Sequence, residues 1–321
     1  MHYRHLGKYG VRVSEVALGS WLTYGGATEN ETATRCIEKA YDLGINFFDT
    51  ANGYARGKSE EVVGRALAAY PRESYFLATK VYFPMGDGPN DRGLSRKHIF
   101  EQCHASLKRL GMDYLDLYQC HRYDTETPLE ETLMALDDLA RQGKILYAGV
   151  SQWSAGQIAH AADHCRSAGL HPLVSNQPYY NMLGRDIEKE VIPVCEREGL
   201  GQVVYSPLAQ GVLSGKYKPG EPLPEGSRAA DPEQNMFLDG GRLDQALLTK
   251  VQKLGPIAEQ AGLSRTQLAL AWCLRQRNVS SVIIGASRPE QVEDNAGASG
   301  VVLSAEVLAA IDAALEYRAG I

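Results

Sequence analysis

The stretch GINFFDTANGYARGKSEEVVG, from Gly44 to Gly64, decides the fold and raises the question of function. Its segment INFF predicts a buried β-strand, because it is short, favours strand structure and follows a glycine that ends a helical pattern. The strand ends in Asp49, Tyr54 lies in the loop that follows, and the next helical pattern begins near Ser59. A carboxylate at the end of a buried strand, with a phenol behind it, requires a chemical explanation.

The same alternation of strand and helix patterns continues along the whole chain. Strand patterns begin at Glu15, Ile45, Tyr75, Tyr114, Ile145, Leu173, Gly201 and Ser280, with amphipathic helical segments between them. Eight strands that alternate with helices predict parallel pairing in a single α/β domain over residues 1–321, a (β/α)8 TIM barrel. The N-terminal residues predict a β-hairpin that turns at Tyr9-Gly10 and plugs the barrel from below, and further helices follow at the C-terminus.

A doubly wound parallel sheet is the alternative architecture. Such a sheet normally carries G-x-G-x-x-G after its first strand, and the sequence has no such motif. The segment GVLSGKY at Gly211 has glycines too close together for a phosphate loop, and Tyr217 stands where Ser or Thr would bind magnesium. The barrel is therefore favoured.

Composition excludes several classes of function. The 321 residues are 44% hydrophobic and 22% charged, with a net charge of −6. No cluster of Lys and Arg indicates a nucleic-acid partner, and no apolar run reaches the ~20 residues of a membrane span. The first residues lack the apolar core of a signal peptide, so we expect a cytoplasmic protein.

The cysteines indicate neither disulfides nor a metal site. Six are scattered along the chain without a C-x-x-C pair, which predicts reduced and mostly buried thiols. The doublets Cys103-His104 and Cys120-His121 lack the close-spaced second pair of a structural zinc site. We expect no bound metal.

Polar residues follow successive strand patterns, at the end of the barrel where active sites are found. The second, third and fourth strands end in Asp49, Lys80 and His121. The next three strands end in Ser151-Gln152, Asn176-Gln177 and Tyr205-Ser206. The long irregular stretch over residues 206–241 is rich in Pro and Gly, and a loop of that length inside a compact domain is usually functional.

These side chains suggest acid catalysis. A phenol has an ordinary pKa of ~10, and an adjacent ammonium group favours the phenolate, so Lys80 would lower the pKa of Tyr54. Asp49 would hold Lys80 in place, and His121 would donate to the oxygen being protonated. Each residue alone also has an ordinary structural interpretation, as a turn former, a solvated lysine or a buried histidine. Together, on three consecutive strand ends, they favour a catalytic site.

A Schiff-base aldolase is a second enzymatic interpretation of Lys80. A lysine that is paired with Asp49 should stay protonated, which argues against this interpretation.

The motifs resemble those of the aldo-keto reductase superfamily over nearly the whole chain. GINFFDTANGYARGKSEEVVG, LATK, DLYQCH and IIGASRPEQVEDN occur in the order typical of that superfamily. GSWLTYGG, YSPLAQGVLSGKY and LALAWCLR are most similar to the branch of voltage-gated potassium channel β subunits and their bacterial relatives. Those channel subunits have an asparagine where this chain has His121, so this departure favours an enzyme over a redox-sensing regulatory subunit that binds NADP(H).

The resemblance implies an NADP(H)-dependent oxidoreductase that reduces aldehyde or ketone carbonyls of small molecules to alcohols. Asp49, Tyr54, Lys80 and His121 would form the catalytic tetrad, with Tyr54 as the general acid. Relatives in this branch often form tetramers or larger rings, so the resemblance also implies a homo-oligomer.

The resemblance assigns the cofactor site residue by residue. Tyr205 would stack on the nicotinamide, Ser151 and Gln177 would bind its carboxamide, and Lys216 would lie at the pyrophosphate. The complete set is Trp21, Ser151, Gln177, Tyr205, Ser206, Pro207, Leu208, Gln210, Gly211, Lys216, Gly285, Ser287, Arg288, Gln291, Asp294 and Asn295.

Arg288 is the main determinant of the preference for NADP(H) in this assignment. A guanidinium binds phosphate in a bidentate manner, and Arg288 lies just before a helical pattern whose N-terminal amides favour an anion. The alternative is that RPEQ merely begins a surface helix. The family commonly has a lysine before Ser287, where this chain has Ala286, so the preference would depend on Arg288.

Aromatic and apolar residues just beyond the strand ends would form the substrate pocket. They are Trp21, Tyr24, Tyr82, Phe83, Met85 and Tyr123. Such a wall suits a carbonyl on an apolar or aromatic body, although packing at the barrel rim would explain the same residues.

Overall fold

The chain folds into a closed barrel with a hairpin beneath it. The computed structural model describes residues 1–21, 24–25, 30–232, 234–235, 238, 241 and 243–317. The hairpin consists of β1 (Tyr3–His5) and β2 (Arg12–Ser14), which pair in antiparallel register. The barrel strands are β3 (Val16–Gly19), β4 (Phe47–Asp49), β5 (Phe76–Val81), β6 (Leu115–Cys120), β7 (Ile145–Ser151), β8 (Leu173–Gln177), β9 (Gly201–Val204) and β10 (Val279–Ile284).

All pairings between these barrel strands are parallel, and β10 closes the barrel by pairing with both β3 and β9. Within the described ranges this gives eight barrel strands, one for each predicted strand pattern. The predicted α/β barrel and its N-terminal hairpin are confirmed.

Helices of the described ranges surround the barrel. They are α1 (Asn30–Asp42), α2 (Lys58–Leu67), α3 (Arg96–Leu110), α4 (Leu129–Arg141), α5 (Ala155–Ala168), α6 (Val191–Glu198), α7 (Gln245–Gln252), α8 (Leu254–Gln260), α9 (Arg265–Leu274), α10 (Pro289–Ala296) and α11 (Ala305–Leu315). Gly111, Gly169 and Gly199 adopt left-handed backbone angles directly after α3, α5 and α6 and cap these helices. None of the helices in these ranges is long and apolar enough to cross a bilayer.

One helix differs from the pattern in the sequence. RDIEKEVIPVCEREG predicts a single helix, but a short 3-10 turn at Asp186–Glu188 precedes α6, and Glu190 between them is not helical. Pro193 has no N–H to donate to the carbonyl of Lys189, so a continuous helix would lose a hydrogen bond there.

The floor of the barrel explains why the opposite end is polar. Leu6 and Val13 of the hairpin region pack with Phe47, Phe76 and other inward-facing residues into one apolar cluster. Alternate residues of a strand point to the same face, so Asp49 points inward, as Phe47 does, but lies one layer higher. The same alternation brings Lys80 inward above Phe76. The strand period therefore directs the carboxylate and the amine into the upper end of the barrel.

Candidate active site

Lys80 is the centre of a hydrogen-bond network at the upper end of the barrel. Its side chain is fully buried, and Nζ donates to Asp49 Oδ1 at 2.5 Å. Nζ also lies 2.8 Å from the carbonyl oxygen of Thr50 and 3.2 Å from the hydroxyl oxygen of Tyr54. An ammonium group has three protons to donate, and these three acceptors account for them. The predicted pairing of Asp49 with Lys80 is present.

Two amide side chains hold the second oxygen of the Asp49 carboxylate. Nε2 of Gln177, at the end of β8, donates to Asp49 Oδ2 at 2.9 Å, and Nε2 of Gln119, on β6, donates at 3.3 Å. A buried charge is tolerated when it is both paired and hydrogen-bonded. Lys80 and the two glutamines together satisfy this condition for Asp49.

Tyr54 and His121 lie next to each other beside this network. Tyr54 is the first residue of a short 3-10 turn, Tyr54–Gly57. Ala55 and Arg56, inside this turn, have positive φ angles. His121 directly follows β6, and its ring meets the Tyr54 ring edge-on with 5.6 Å between centroids. The ring of Phe83 lies 4.8 Å from that of His121, also edge-on. The four residues predicted from the strand ends are therefore brought together.

The pKa of Tyr54 differs from the sequence prediction. Loss of water around the phenol raises the pKa above its ordinary value, and the positive charge of Lys80 lowers it, but not enough to reverse the shift. Asp49 adds to the rise. The predicted net lowering is therefore wrong, since burial outweighs the ammonium group, although Lys80 acts in the predicted direction.

The charge states of the other two groups follow from their surroundings. Burial lowers the pKa of Lys80, but the Asp49 carboxylate raises it more strongly together with Tyr54, and the net pKa is above the ordinary value. Burial, followed by the positive charges of Lys80 and Arg122, holds the pKa of His121 well below its ordinary value. At neutral pH the site contains a protonated phenol, a charged lysine and a neutral imidazole. A lysine held in this state is a poor Schiff-base nucleophile.

A cavity of about 1010 Å³ opens above these residues and extends along the ends of the strands. Asp49, Tyr54 and His121 line one end. The cavity wall continues through residues that follow β9 and β10, up to the start of α10.

Strained backbone is concentrated around this cavity. Positive φ angles at non-glycine residues cost on the order of 1–3 kcal/mol each and occur most often at functional sites. Of the seven such residues in the described ranges, Gln152, Ser206 and Gln210 line the cavity. Ala55, Arg56 and Ala209 lie within two residues of a lining residue along the chain, and the seventh is Glu316.

Three cations gather at the far end of the cavity. Lys216, Arg228 and Arg288 all line it, and no ion pair joins them to a carboxylate within the part of the chain that the structure describes. Desolvation, followed by the positive charges of Arg228 and Arg288, lowers the pKa of Lys216. Gly211 comes close to Lys216, since a Cβ at Gly211 would lie 2.8 Å from Lys216 Cε, and its φ of +90° favours glycine. Mutually repelling cations around a cavity indicate a site for an anion.

Comparison with known proteins agrees with this geometry. The model of the Aldo/keto reductase family matches residues 15–316. This chain belongs to the aldo/keto reductase family. Its members are oxidoreductases that generally bind NADP(H).

Individual relatives are similar over nearly their full length. The chain is 43% identical to a Schizosaccharomyces pombe protein named "Putative voltage-gated potassium channel subunit beta", over 98% of this chain and 93% of the relative. It is 42% identical to the "Probable voltage-gated potassium channel subunit beta" of Arabidopsis thaliana, over 94% and 92%, respectively. A protein of the same name from Oryza sativa subsp. japonica is 41% identical, over 99% and 98%.

All residues that the sequence assigns to cofactor binding line the cavity of this aldo/keto reductase. Some already have partners. Ser151 Oγ donates to the carbonyl oxygen of Gln177 at 2.8 Å, and the Tyr205 hydroxyl accepts from Gln152 Nε2 at 2.7 Å. Ser287 donates its N–H to Gln291 Oε1 at 2.8 Å, which orders the loop before α10. Their roles in binding remain predictions.

The predicted substrate wall is only partly formed. Trp21 and Phe83 line the cavity, whereas Tyr24, Tyr82, Met85 and Tyr123 are not among the described residues that do so. Tyr24 is 2% exposed in the core, Tyr82 packs edge-on against Phe83, and Tyr123 packs against Trp153. The backbone N–H of Met85 donates to Asp91 within its own loop. Trp21 and Phe83 are still predicted to contact the substrate directly.

Arg228, Arg122 and Gln152 are among the cavity residues to which the sequence analysis gave no role. Arg228 lies in the long irregular stretch, donates to the Gln210 side chain and lies over Trp21. Arg122 and Gln152 follow the ends of β6 and β7. The signal for Arg122 was its position directly after His121. The sequence gives no such indication for Arg228, because the periodic patterns of strands and helices do not predict the path of a long loop.

No group of metal-ligating side chains is found among the described residues. All six cysteines are buried and free.

Proposed function

We propose that this aldo/keto reductase reduces aldehyde and ketone carbonyls to alcohols with NADPH. The observation that carries the proposal is the position of Tyr54, which shares Lys80 with Asp49, lies beside a neutral His121 and opens onto a cavity with three cations at its far end.

The donor set of the cavity suits a dinucleotide that carries phosphates. Lys216 and Arg228 would neutralise the pyrophosphate, and Arg288 would bind the 2′-phosphate as a bidentate partner. At the reaction end, Ser151 Oγ and Gln177 Nε2 already donate within the protein, so their oxygen atoms would accept from the amide of the nicotinamide. Tyr205 would support the ring by stacking.

The reduced nicotinamide would supply the hydride, and the chain would supply the proton. Tyr54 would donate its hydroxyl proton to the carbonyl oxygen as hydride reaches the carbonyl carbon, and Lys80 would stabilise the phenolate that remains. The pKa of Tyr54 is raised, so the hydroxyl is fully protonated at neutral pH before the reaction. Nδ1 of His121 is buried without a partner in the described residues, which leaves the ring proton free to reside on Nε2. Nε2–H would then donate to the carbonyl oxygen.

Arg288→Ala should weaken the binding of NADPH and leave the binding of NADH nearly unchanged. Hydrogen bonds to a charged group contribute about 1.5–3 kcal/mol, so we expect the dissociation constant of NADPH to rise by about 10- to 100-fold. Titration of protein fluorescence with each cofactor measures both constants.

Lys216→Ala is the matched comparison, because Lys216 would contact the pyrophosphate that both cofactors contain. This variant should weaken NADPH and NADH together. Equal dissociation constants for the two cofactors in the wild-type protein would remove the basis for assigning Arg288 to the 2′-phosphate.

A regulatory subunit that binds NADP(H) and turns over slowly is the second candidate, and the names of the relatives favour it. The two candidates differ in turnover. We expect sustained oxidation of NADPH over many cycles in a screen of aldehydes, ketones and sugars. A single turnover per bound cofactor, followed by a stop, would favour the regulatory subunit.

A further inference from the structure

A fourth cation lies at the reaction end of the cavity, apart from the three at the far end. Arg122 directly follows His121, and both line the cavity. The guanidinium carbon lies 5.4 Å from the centre of the Phe83 ring. Burial raises the pKa of Tyr205, and the charge of Arg122 is the strongest opposing influence. Arg122 therefore lies close to the residues that surround the reacting carbonyl in the proposed function.

The positive charge of Arg122 has no carboxylate partner in the described part of the chain. Its guanidinium donates from Nη1 to the backbone oxygen of His121 at 2.6 Å, and no ion pair involves it there. Asp124, two residues away, instead accepts from the N–H groups of Leu94 and Glu126 and from the hydroxyl of Thr127. Asp49, the carboxylate of the tetrad, is already paired with Lys80.

An unpaired guanidinium beside an aromatic wall is suited to a particular kind of substrate. Guanidinium groups bind carboxylates and phosphates through two parallel hydrogen bonds. Phe83, 37% exposed, would cover the carbon chain between the anionic group and the carbonyl.

We propose that Arg122 binds an anionic group of the substrate, so that the preferred substrates are carbonyl compounds with a carboxylate or phosphate near the carbonyl. This inference rests on the proposed carbonyl reduction. A charged hydrogen-bonded contact of this kind changes the specificity constant by about 10- to 100-fold.

The test compares charged and neutral substrates of the same shape. We would measure kcat/KM for succinic semialdehyde against its methyl ester, and for glycolaldehyde phosphate against glycolaldehyde. The wild-type enzyme should prefer the charged member of at least one pair by about 10- to 100-fold, and the pair that shows the preference identifies carboxylate or phosphate. Arg122→Gln keeps a donor for the His121 oxygen and should bring that ratio close to one.

The ratio is the useful quantity, because any effect of Arg122 on the charges of Tyr54 and His121 acts on both members of a pair and cancels. Arg122→Lys, which keeps the charge but not the planar fork, should give an intermediate ratio. Arg92→Gln, which removes an exposed guanidinium that does not line the cavity, should leave the ratio at its wild-type value.

Equal constants within both pairs for the wild-type enzyme would overturn the inference, as would an Arg122→Gln variant that keeps the preference. If the enzyme reduces aldehydes but shows no preference between charged and neutral substrates, only this inference is overturned. No reduction of any carbonyl compound would overturn the proposed function and this inference with it.

Discussion

Tyr54→Phe should abolish carbonyl reduction while NADPH still binds. The substitution removes only the hydroxyl that would protonate the carbonyl oxygen, and general acid catalysis contributes ~10²–10⁴-fold. Lys80 keeps its contacts with Asp49 and with the Thr50 carbonyl, so the ammonium group should stay in place. Steady-state oxidation of NADPH with an unactivated aldehyde measures kcat, and fluorescence titration measures the affinity for NADPH.

Tyr41→Phe is the matched control, because it removes a tyrosine hydroxyl that donates to Ser74 away from the cavity. It should retain the kcat of the wild-type enzyme. Near-wild-type turnover by Tyr54→Phe would exclude Tyr54 as the acid.

Lys80→Met should slow both directions and move the pH profile of alcohol oxidation upward. In oxidation, Tyr54 must accept a proton as phenolate, so the rate rises with pH through the pKa of Tyr54. The ammonium group lowers that pKa against the effect of burial, and its removal should raise the pKa further. The rise in oxidation rate should therefore occur at higher pH, and we expect a loss of about 10²-fold or more near neutral pH. The measurement is kcat for oxidation as a function of pH.

Asp49→Asn tests whether Asp49 acts through Lys80. Without the carboxylate, Lys80 would be poorly held and the defect should be of the same kind. The loss of kcat in the double variant, expressed as a free energy of activation, should be smaller than the sum of the losses in the two single variants, because the two residues act as one unit. Removal of one partner from a buried ion pair destabilises a protein by about 3–5 kcal/mol, so kcat must be compared at temperatures where circular dichroism shows each variant folded.

An unchanged pH profile with only a lower amplitude in Lys80→Met would contradict the role of Lys80 as a charge acting on Tyr54. Strictly additive losses for the pair would contradict the coupling of Asp49 to Lys80.

The fold could be predicted because its signals are local and periodic. Each short apolar run followed by a helical pattern gave one barrel strand, and the alternation of Phe47 and Asp49 along β4 determines which side chains point inward. The bounds differ by a few residues, and the helix before β9 starts later than its pattern because Pro193 interrupts the hydrogen bonding.

The residues of the site that end strands could be predicted from the sequence. The orientation of side chains in loops, and the pKa values that depend on burial, could not. Asp49, Lys80 and His121 end strands, and parallel strands bring such ends together. Tyr24 and Tyr123 lie in segments that have no strand or helix periodicity. The sequence therefore does not show that their side chains pack away from the cavity. The raised pKa of Tyr54 depends on how much water the fold removes, which strand patterns do not give.

Transfer of deuterium from the nicotinamide tests the proposed function most directly. NADPH labelled with deuterium at the transferring position of the nicotinamide would be incubated with the enzyme and an aldehyde, and the alcohol would be analysed by mass spectrometry and NMR. Direct hydride transfer predicts one deuterium on the former carbonyl carbon of the alcohol, in a single stereochemical position, whereas Tyr54→Phe should form no deuterated alcohol above background. An alcohol without deuterium, or no alcohol at all while NADPH stays bound, would contradict carbonyl reduction by this enzyme.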